Sequence, residues 1–323
     1  MALYGSAIYR GAHEGYLFYG NQGSKLVASN TIADPTAQAT ATCVGISPFP
    51  SVTDTQNQQP VQGIGSGRVL NYVPGRREQT IRVSQLQFAN GTFLLNAVRD
   101  HSDPDKAGTV KGLQLFACEF GTDLGYANAI AAQGIDCLIN TLRVDAAEMQ
   151  PLSADVEIWP QCIIAQATPK TTPAPAASDI LLWQYLSWSM GATDYHPILA
   201  RVSLSVSNNL SREGMRQKLL SGSTELAISR TPKIVVPHIE TVQVQYTLHD
   251  RLPSTLRVAN DWGAVTLRAE QTGTGAGRDF FQAVISHNFL NTEAFAQAAA
   301  NQQMSFTVDV PAYAVALSAG VTT

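Results

Sequence analysis

The chain has 323 residues, of which 45% are hydrophobic and only 14% charged, and its formal net charge is −4 at pH 7. The hydrophobic fraction is enough to build packed cores, which excludes a wholly disordered chain. The charged fraction lies well below the ~25% of an average soluble domain. No cluster of basic residues is denser than Arg76-Arg77, which argues against a dedicated nucleic-acid binder.

The N-terminal segment has no basic region followed by an apolar stretch, so we expect no secretion signal and synthesis in a reducing cytoplasm. No apolar run reaches the ~18 residues of a membrane-spanning helix, so no membrane association is expected. The cysteines Cys43, Cys118, Cys137 and Cys162 lack CxxC spacing. This predicts buried free thiols rather than a zinc site, and no cofactor is predicted.

The first half of the chain has the pattern of strands separated by turns. A β-like run at 42–46 precedes a polar segment at 47–77, which we predict to be a long functional loop. Residues 80–84 alternate polar and apolar with period two, and the alternation resumes at 85–88 with its phase shifted, which predicts a β-bulge. Further strands are predicted at 112–116 and 155–165, and a weak helix at 124–132.

The sequence most like a metal site is DHSDPD at 100–105, where three carboxylates could hold a hard cation. It lacks the loop glycine and terminal glutamate of an EF-hand, so a polar turn is the favoured interpretation.

The segment ATPKTTPAPAAS at 167–178 contains three prolines and no large apolar residue, as in a semi-rigid spacer. We therefore predict a first module at 1–170, a Pro-rich linker at 171–178 and a second module at 179–323. The aromatic residues that follow the linker could be core or interface anchors, or a sugar-stacking platform. They are Trp183, Tyr185, Trp188 and Tyr195.

The second half repeats the strand pattern. Residues 202–207 and 242–248 alternate strictly, and they flank a long polar segment at 208–238. An Ala-rich helix is predicted at 292–303, with Asn291 as its N-cap. Additional elements are strands at 264–269 and 305–317 and a short helix at 212–220.

The two halves echo each other in order: strand, long polar segment, strand, further strands with a helix, final strand. Thr80-Ile81-Arg82-Val83 matches Thr241-Val242-Gln243-Val244, and Val156 in the last strand of the first half matches Val308 in the second. The run at 42–46 matches 202–207. Period-two patterns also match by chance. The interpretation we adopt is a mainly β protein with two tandem antiparallel β-barrel or sandwich modules, each with a short flanking α-helix.

The second half resembles phage tail tube proteins. An alternating strand ends in the Asn-rich corner Ser207-Asn208-Asn209-Leu210, and a return strand ends at the acidic Asp250. The last strand carries a Pro-containing apolar run and follows a predicted helix. The resemblance covers roughly residues 185–317 and, more loosely, 40–165, and it rests on pattern without a signature motif.

This resemblance implies a structural virion protein that forms stacked rings around a lumen through which DNA passes without specific binding. Its partners would be other copies, in trimeric rings with pseudo-sixfold symmetry, and other tail proteins. The resemblance implies inter-subunit loops containing Tyr72, Pro74, Arg76, Arg77, Asn208, Asn209, Leu210 and Arg212. It implies a polar lumen face containing Arg82, Ser84, Gln243 and Gln245.

Three alternatives remain open on the sequence alone. The first is another self-assembling virion component, such as a capsid, decoration or baseplate protein. The second is a β-rich carbohydrate-binding or adhesion module. The third is an enzyme on a β scaffold, but no nucleophile elbow or phosphate loop occurs, so the prediction is that the chain is not an enzyme.

Overall fold

A computed structural model describes residues 15–21, 42–45, 47, 50–62, 69–73, 75–88, 91–103, 109–122, 131–166, 180–214, 231–259, 261–271, 277–296 and 305–321. The predicted linker lies outside these residues. Within them the protein is mainly β, and every strand pairing is antiparallel.

The strands are short in the hairpins and long in the main sheet. The first half contains β1 (Gly15–Asn21), β2 (Thr42–Cys43), β3 (Ser51–Gln56), β4 (Gln59–Gln62), β5 (Val69–Val73), β6 (Arg77–Gln87), β7 (Thr109–Val110), β8 (Leu113–Gln114), β9 (Phe116–Thr122), β10 (Ala131–Ala147), β11 (Ser153–Trp159) and β12 (Cys162–Gln166). The second half contains β13 (Leu186–Met190), β14 (Thr193–Asp194), β15 (Leu199–Ser207), β16 (Ser211–Glu213), β17 (Lys233–Val235), β18 (Thr241–Leu248), β19 (Val265–Glu270), β20 (Asp279–Asn288), β21 (Thr292–Ala296) and β22 (Ser305–Val321).

Helices are short in the described residues. They are the 3₁₀ turns Thr92–Ala97, Trp183–Tyr185 and His196–Ile198, and the α-helix α1 (Ser254–Val258). No described helix is long and apolar enough to cross a membrane.

The helix prediction at 292–303 is wrong where the structure describes it, because Thr292–Ala296 forms β21 against the first part of β22. Backbone pairing to a long neighbouring strand outweighs the helix preference of the alanines. The prediction at 212–220 also fails at its start, where β16 pairs with β17. That at 124–132 lies outside the described residues except for its end, which is strand β10.

One path of neighbouring strands runs through both halves, in the order β14-β13-β19-β20-β22-β18-β15-β10-β11-β6-β3. It is open at both ends within the described residues. The long strand β10 leaves this path at its N-terminal part to pair with β9 and β12, and β9 pairs in turn with β1.

The two halves have the same order of neighbours. The first is β3-β6-β11-β10-β9-β1 and the second is β15-β18-β22-β20-β19-β13. In the second half, β22 pairs with β20 along its C-terminal part and with β21 along its N-terminal part. Together β20 and β21 therefore take the place that the single strand β10 takes beside β11 and β12.

The pairing corrects two of the residue matches. Val83 faces Val156 in the first half, and Val244 faces Val310 in the second, so the match of Val83 with Val244 aligns Val156 with Val310 rather than with Val308. The strand beside β6 is β3, whereas the run at 42–46 contains β2, which pairs with β1. The segment 47–77, predicted to be a loop, contains β3 and the hairpin β4–β5. Most of the described side chains of this segment are exposed.

The predicted bulge at 84–85 is confirmed. The register between β6 and β11 shifts between Ala154 and Val156, and Gln85 has a positive φ of 53°. The extra residue lets Val83 and Leu86 both point into the core. One main core cluster, lined by apolar residues of both halves, lies beneath the central sheet.

Candidate assembly surfaces

Six neighbouring strands, β6, β11, β10, β15, β18 and β22, present a face opposite the core that we call the polar face. Strict alternation places one set of side chains on each side of the sheet. On β18, Val242, Val244 and Tyr246 are buried, whereas Gln243 and Gln245 are exposed. Arg82 and Ser84 on β6 are exposed in the same way. The structure thus places all four residues that were predicted to be lumen-facing on the polar face.

The arginines of the polar face are paired with carboxylates. Arg82 lies 3.0 Å from Glu157 across the β6–β11 ladder. Asp145 on β10 accepts from two arginines, Arg143 at 2.8 Å and Arg201 at 2.9 Å. These ion pairs offset the positive charge, so these arginines present no cluster of free guanidinium groups to a polyanion.

Glu157 is held ionised by its neighbours. Burial raises the pKa of its carboxyl, but hydrogen bonds from Trp159 and Asn140 and the nearby Arg82 more than offset this, so the net shift of the pKa is downward. Trp159 Nε1 donates to Glu157 Oε1 at 2.7 Å, and Asn140 Nδ2 donates to the same oxygen at 3.1 Å.

The halves are joined by direct pairing of β10 with β15, from Thr141 opposite Ser207 to Ala147 opposite Arg201. Asn208, at the end of β15, anchors this junction. Its side chain is fully buried, and its Nδ2 donates to Ala97 O at 2.8 Å and to Ile139 O at 2.9 Å. The buried Arg99 donates to Asn208 Oδ1 at 3.2 Å and to Asn208 O at 2.9 Å.

The β16–β17 hairpin that follows lies against the first half. Leu210 and Val236 belong to a small buried cluster with Leu113, Leu115 and Leu138. The guanidinium of Arg212 lies 4.0 Å from the ring centroid of Trp159, and its Nη2 donates to Thr80 Oγ1 at 2.9 Å. Asn209, in contrast, is exposed and donates from Nδ2 to Thr241 Oγ1 at 3.1 Å. Three of the residues predicted to lie in inter-subunit loops, Asn208, Leu210 and Arg212, thus make contacts between the two halves of one chain.

Among the predicted loop residues of the first half, Tyr72 is exposed and Arg76 and Arg77 are half-buried. Tyr72 on β5 is 56% exposed. Arg77 donates from Nε to Asp54 Oδ1 at 2.9 Å, within the β3–β6 pair. Arg76 donates from Nη1 to Arg212 O at 3.0 Å, which brings two of the predicted loop residues together. Pro74 lies outside the described residues.

The aromatic cluster after the predicted linker is packed rather than presented to solvent. Trp188 is fully buried and stacks on Tyr246 with ring centroids 4.6 Å apart. Trp183 is 7% exposed and packs beside His196. Their burial favours the anchor interpretation over a sugar-stacking platform.

The described part of the DHSDPD sequence, residues 100–103, is held by its own side-chain hydrogen bonds. Asp100 Oδ1 accepts from Ser102 N at 3.0 Å and from Ser102 Oγ at 2.6 Å, which closes the predicted polar turn. Among the described residues, no group of His, Cys, Asp or Glu could hold a metal ion. Cys118, Cys137 and Cys162 are buried free thiols, as predicted.

The role of Asn208 was not visible in the sequence, because its partners Arg99 and Ala97 lie far away in the chain. The Asn-rich corner marked the position but not the contacts. No family model and no curated protein matches this chain.

Proposed function

We propose that this chain is a subunit of a bacteriophage tail tube, made in the host cytoplasm and carried in the virion. Three copies form a ring, the rings stack, and DNA passes through the lumen. The observation that carries the proposal is the repeated strand order, with both halves contributing to one continuous polar face.

The matching strand orders support two tandem modules in one chain. Three chains then supply six modules to a ring, and the β10–β15 pairing is the module-to-module contact. Closing such a ring removes the exposed strand edges that otherwise promote uncontrolled association.

The chemistry of the polar face suits a conduit. Gln243, Gln245 and Ser84 offer neutral groups, and the ion pairs offset the charge of Arg82, Arg143 and Arg201. Tight DNA binding requires basic side chains that displace counterions from phosphates. A face with neutralised arginines lets DNA slide past.

Electron microscopy of the purified, concentrated protein tests the proposal. We expect hollow tubes of stacked rings in negative stain, formed by the protein alone or after addition of tube fragments as nuclei. Closed shells or flat sheets would favour a capsid component. Monomers at every concentration, with or without nuclei, would contradict the proposal.

A further inference from the structure

The β10–β15 pairing, which joins the two halves, has a matching pair of strands, β21 and β3, near the two ends of the chain. Within the chain, one outer edge of β10 pairs with β15. By the matching strand orders, β21 corresponds to this part of β10, and β3 corresponds to β15. In the described residues β21 pairs only with β22, and β3 pairs only with β6. Each end of the chain therefore carries one half of a junction.

The surfaces beside these edges are also matched. Trp159 follows Ile158, which faces Ile81, and Tyr313 follows Ala312, which faces Val242. Tyr313 thus corresponds to Trp159. Trp159 is covered by Arg212 of the β16–β17 hairpin, whereas Tyr313 is 77% exposed and the nearby Phe289 is 43% exposed.

The hairpin that would cover Tyr313 is β4–β5, since it follows β3 as β16–β17 follows β15. Its apolar side chains are exposed: Val61 is 41% exposed, Val69 40%, Tyr72 56% and Val73 50%. An exposed apolar hairpin and an exposed apolar patch on the same chain are complementary surfaces for a second copy.

We infer that the partner of both ends is another copy of this chain, bound head to tail. Residues 290–292, where β21 begins, pair antiparallel with Ser51–Thr53 of β3 in the next copy, and the β4–β5 hairpin of that copy covers Tyr313 and Phe289. This inference rests on the proposed function, because it specifies how the ring closes.

The internal junction fixes the register. Arg143 lies opposite Ser205 across the junction. Arg143 faces Asp155, and Thr292 faces Asp309, which is the match of Asp155. Thr292 therefore takes the place of Arg143. Ser205 faces Gln243, and Ser51 faces Arg82, which is the match of Gln243. Ser51 therefore takes the place of Ser205. Thr292 of one copy therefore lies opposite Ser51 of the next.

Paired cysteines test this register. Residues directly opposite in an antiparallel pair have Cβ atoms about 4.5–5.5 Å apart, within reach of a short bis-maleimide. In assembled Ser51→Cys/Thr292→Cys protein, we expect cross-linked dimers and trimers on a denaturing gel. Thr55→Cys/Thr292→Cys is the matched control, because at ~3.3 Å per residue its pair is displaced by about 13 Å. Protein with Thr292→Cys alone is the second control, and it measures any cross-linking through the native cysteines.

The outcomes separate the two proposals. Tubes that cross-link in the first variant and not in the control support the inference. Tubes in which the first variant cross-links no better than the control overturn the inference and leave the proposed function standing. Failure of the unmodified protein to form rings or tubes overturns both.

Discussion

Trp159 lies under the guanidinium of Arg212 at 4.0 Å, whereas Tyr313, at the matching position of the second half, is 77% exposed. The same position of the sheet is therefore covered inside the chain and open at its end. The difference predicts that the same substitution impairs assembly at Tyr313 and monomer stability at Trp159.

Tyr313→Ser is expected to leave the stability of the monomer within about 0.5 kcal/mol of the unmodified protein, because the ring is mostly in solvent. It should raise the protein concentration needed for tube formation. Trp159→Ser is the matched variant and should lower the free energy of unfolding by at least ~1 kcal/mol, because it removes a ring packed between the halves. Urea unfolding and pelleting of tubes measure the two effects. Unchanged assembly of Tyr313→Ser would argue against a buried role for this residue.

Asn208→Ala is expected to destabilise the fold by roughly 3 kcal/mol, since it removes the side-chain donor to the buried carbonyls of Ala97 and Ile139 and one of the acceptors of the buried Arg99. The midpoint of urea unfolding is the measurement. Gln243→Ala, on the exposed polar face, is the control and should shift the free energy of unfolding by less than about 0.5 kcal/mol. Equal effects of the two substitutions would refute the anchoring role of Asn208.

Glu157→Gln is expected to lower stability at neutral pH and to lose its effect in acid. The pKa of Glu157 in the folded protein lies below its ordinary value of 4.5. Its ionised form therefore stabilises the fold above pH 4.5, and this contribution disappears as the pH falls through the folded pKa. Unfolding curves of both proteins at several pH values between neutral and strongly acidic test this. A stability difference that stays constant down to the lowest pH would contradict it.

Asp145→Asn is expected to increase binding of duplex DNA, because it releases Arg143 and Arg201 together. The added affinity should decline with salt, with a log–log slope of about −2 for two new phosphate contacts. Titration of labelled duplex at several salt concentrations measures it. Glu270→Gln is the matched control, since it removes the carboxylate that pairs with Arg268 on β19 and with Arg278 next to β20, away from the polar face. If both variants bind DNA equally, the polar face has no special role.

The central strands could be predicted because the alternation of polar and apolar residues is visible within a short stretch of sequence. Alternation gave β15 and β18 directly, and the phase shift after Ser84 located the bulge at Gln85. The strand β21 could not be predicted, because its alanines favour a helix and only the pairing with β22 makes it a strand. Likewise β3 could not be predicted, because its side chains are exposed on both faces and Val52 is its only large apolar residue, so it has no hydrophobic pattern.

The candidate surfaces were predictable in part for the same reason. Gln243 and Gln245 follow from period two, so their place on an exposed face was expected. The covering of Trp159 by Arg212 and the burial of Asn208 depend on contacts between residues far apart in the chain. Such contacts leave no local signal in one sequence.

A cryo-electron microscopy map of the assembled protein tests the central claim most directly. The account predicts closed rings of three chains in which an inner sheet runs unbroken from β21 of one copy to β3 of the next, with six similar modules around the lumen. Rings of six chains, or an assembly whose interior is lined by a surface other than the polar face, would contradict it.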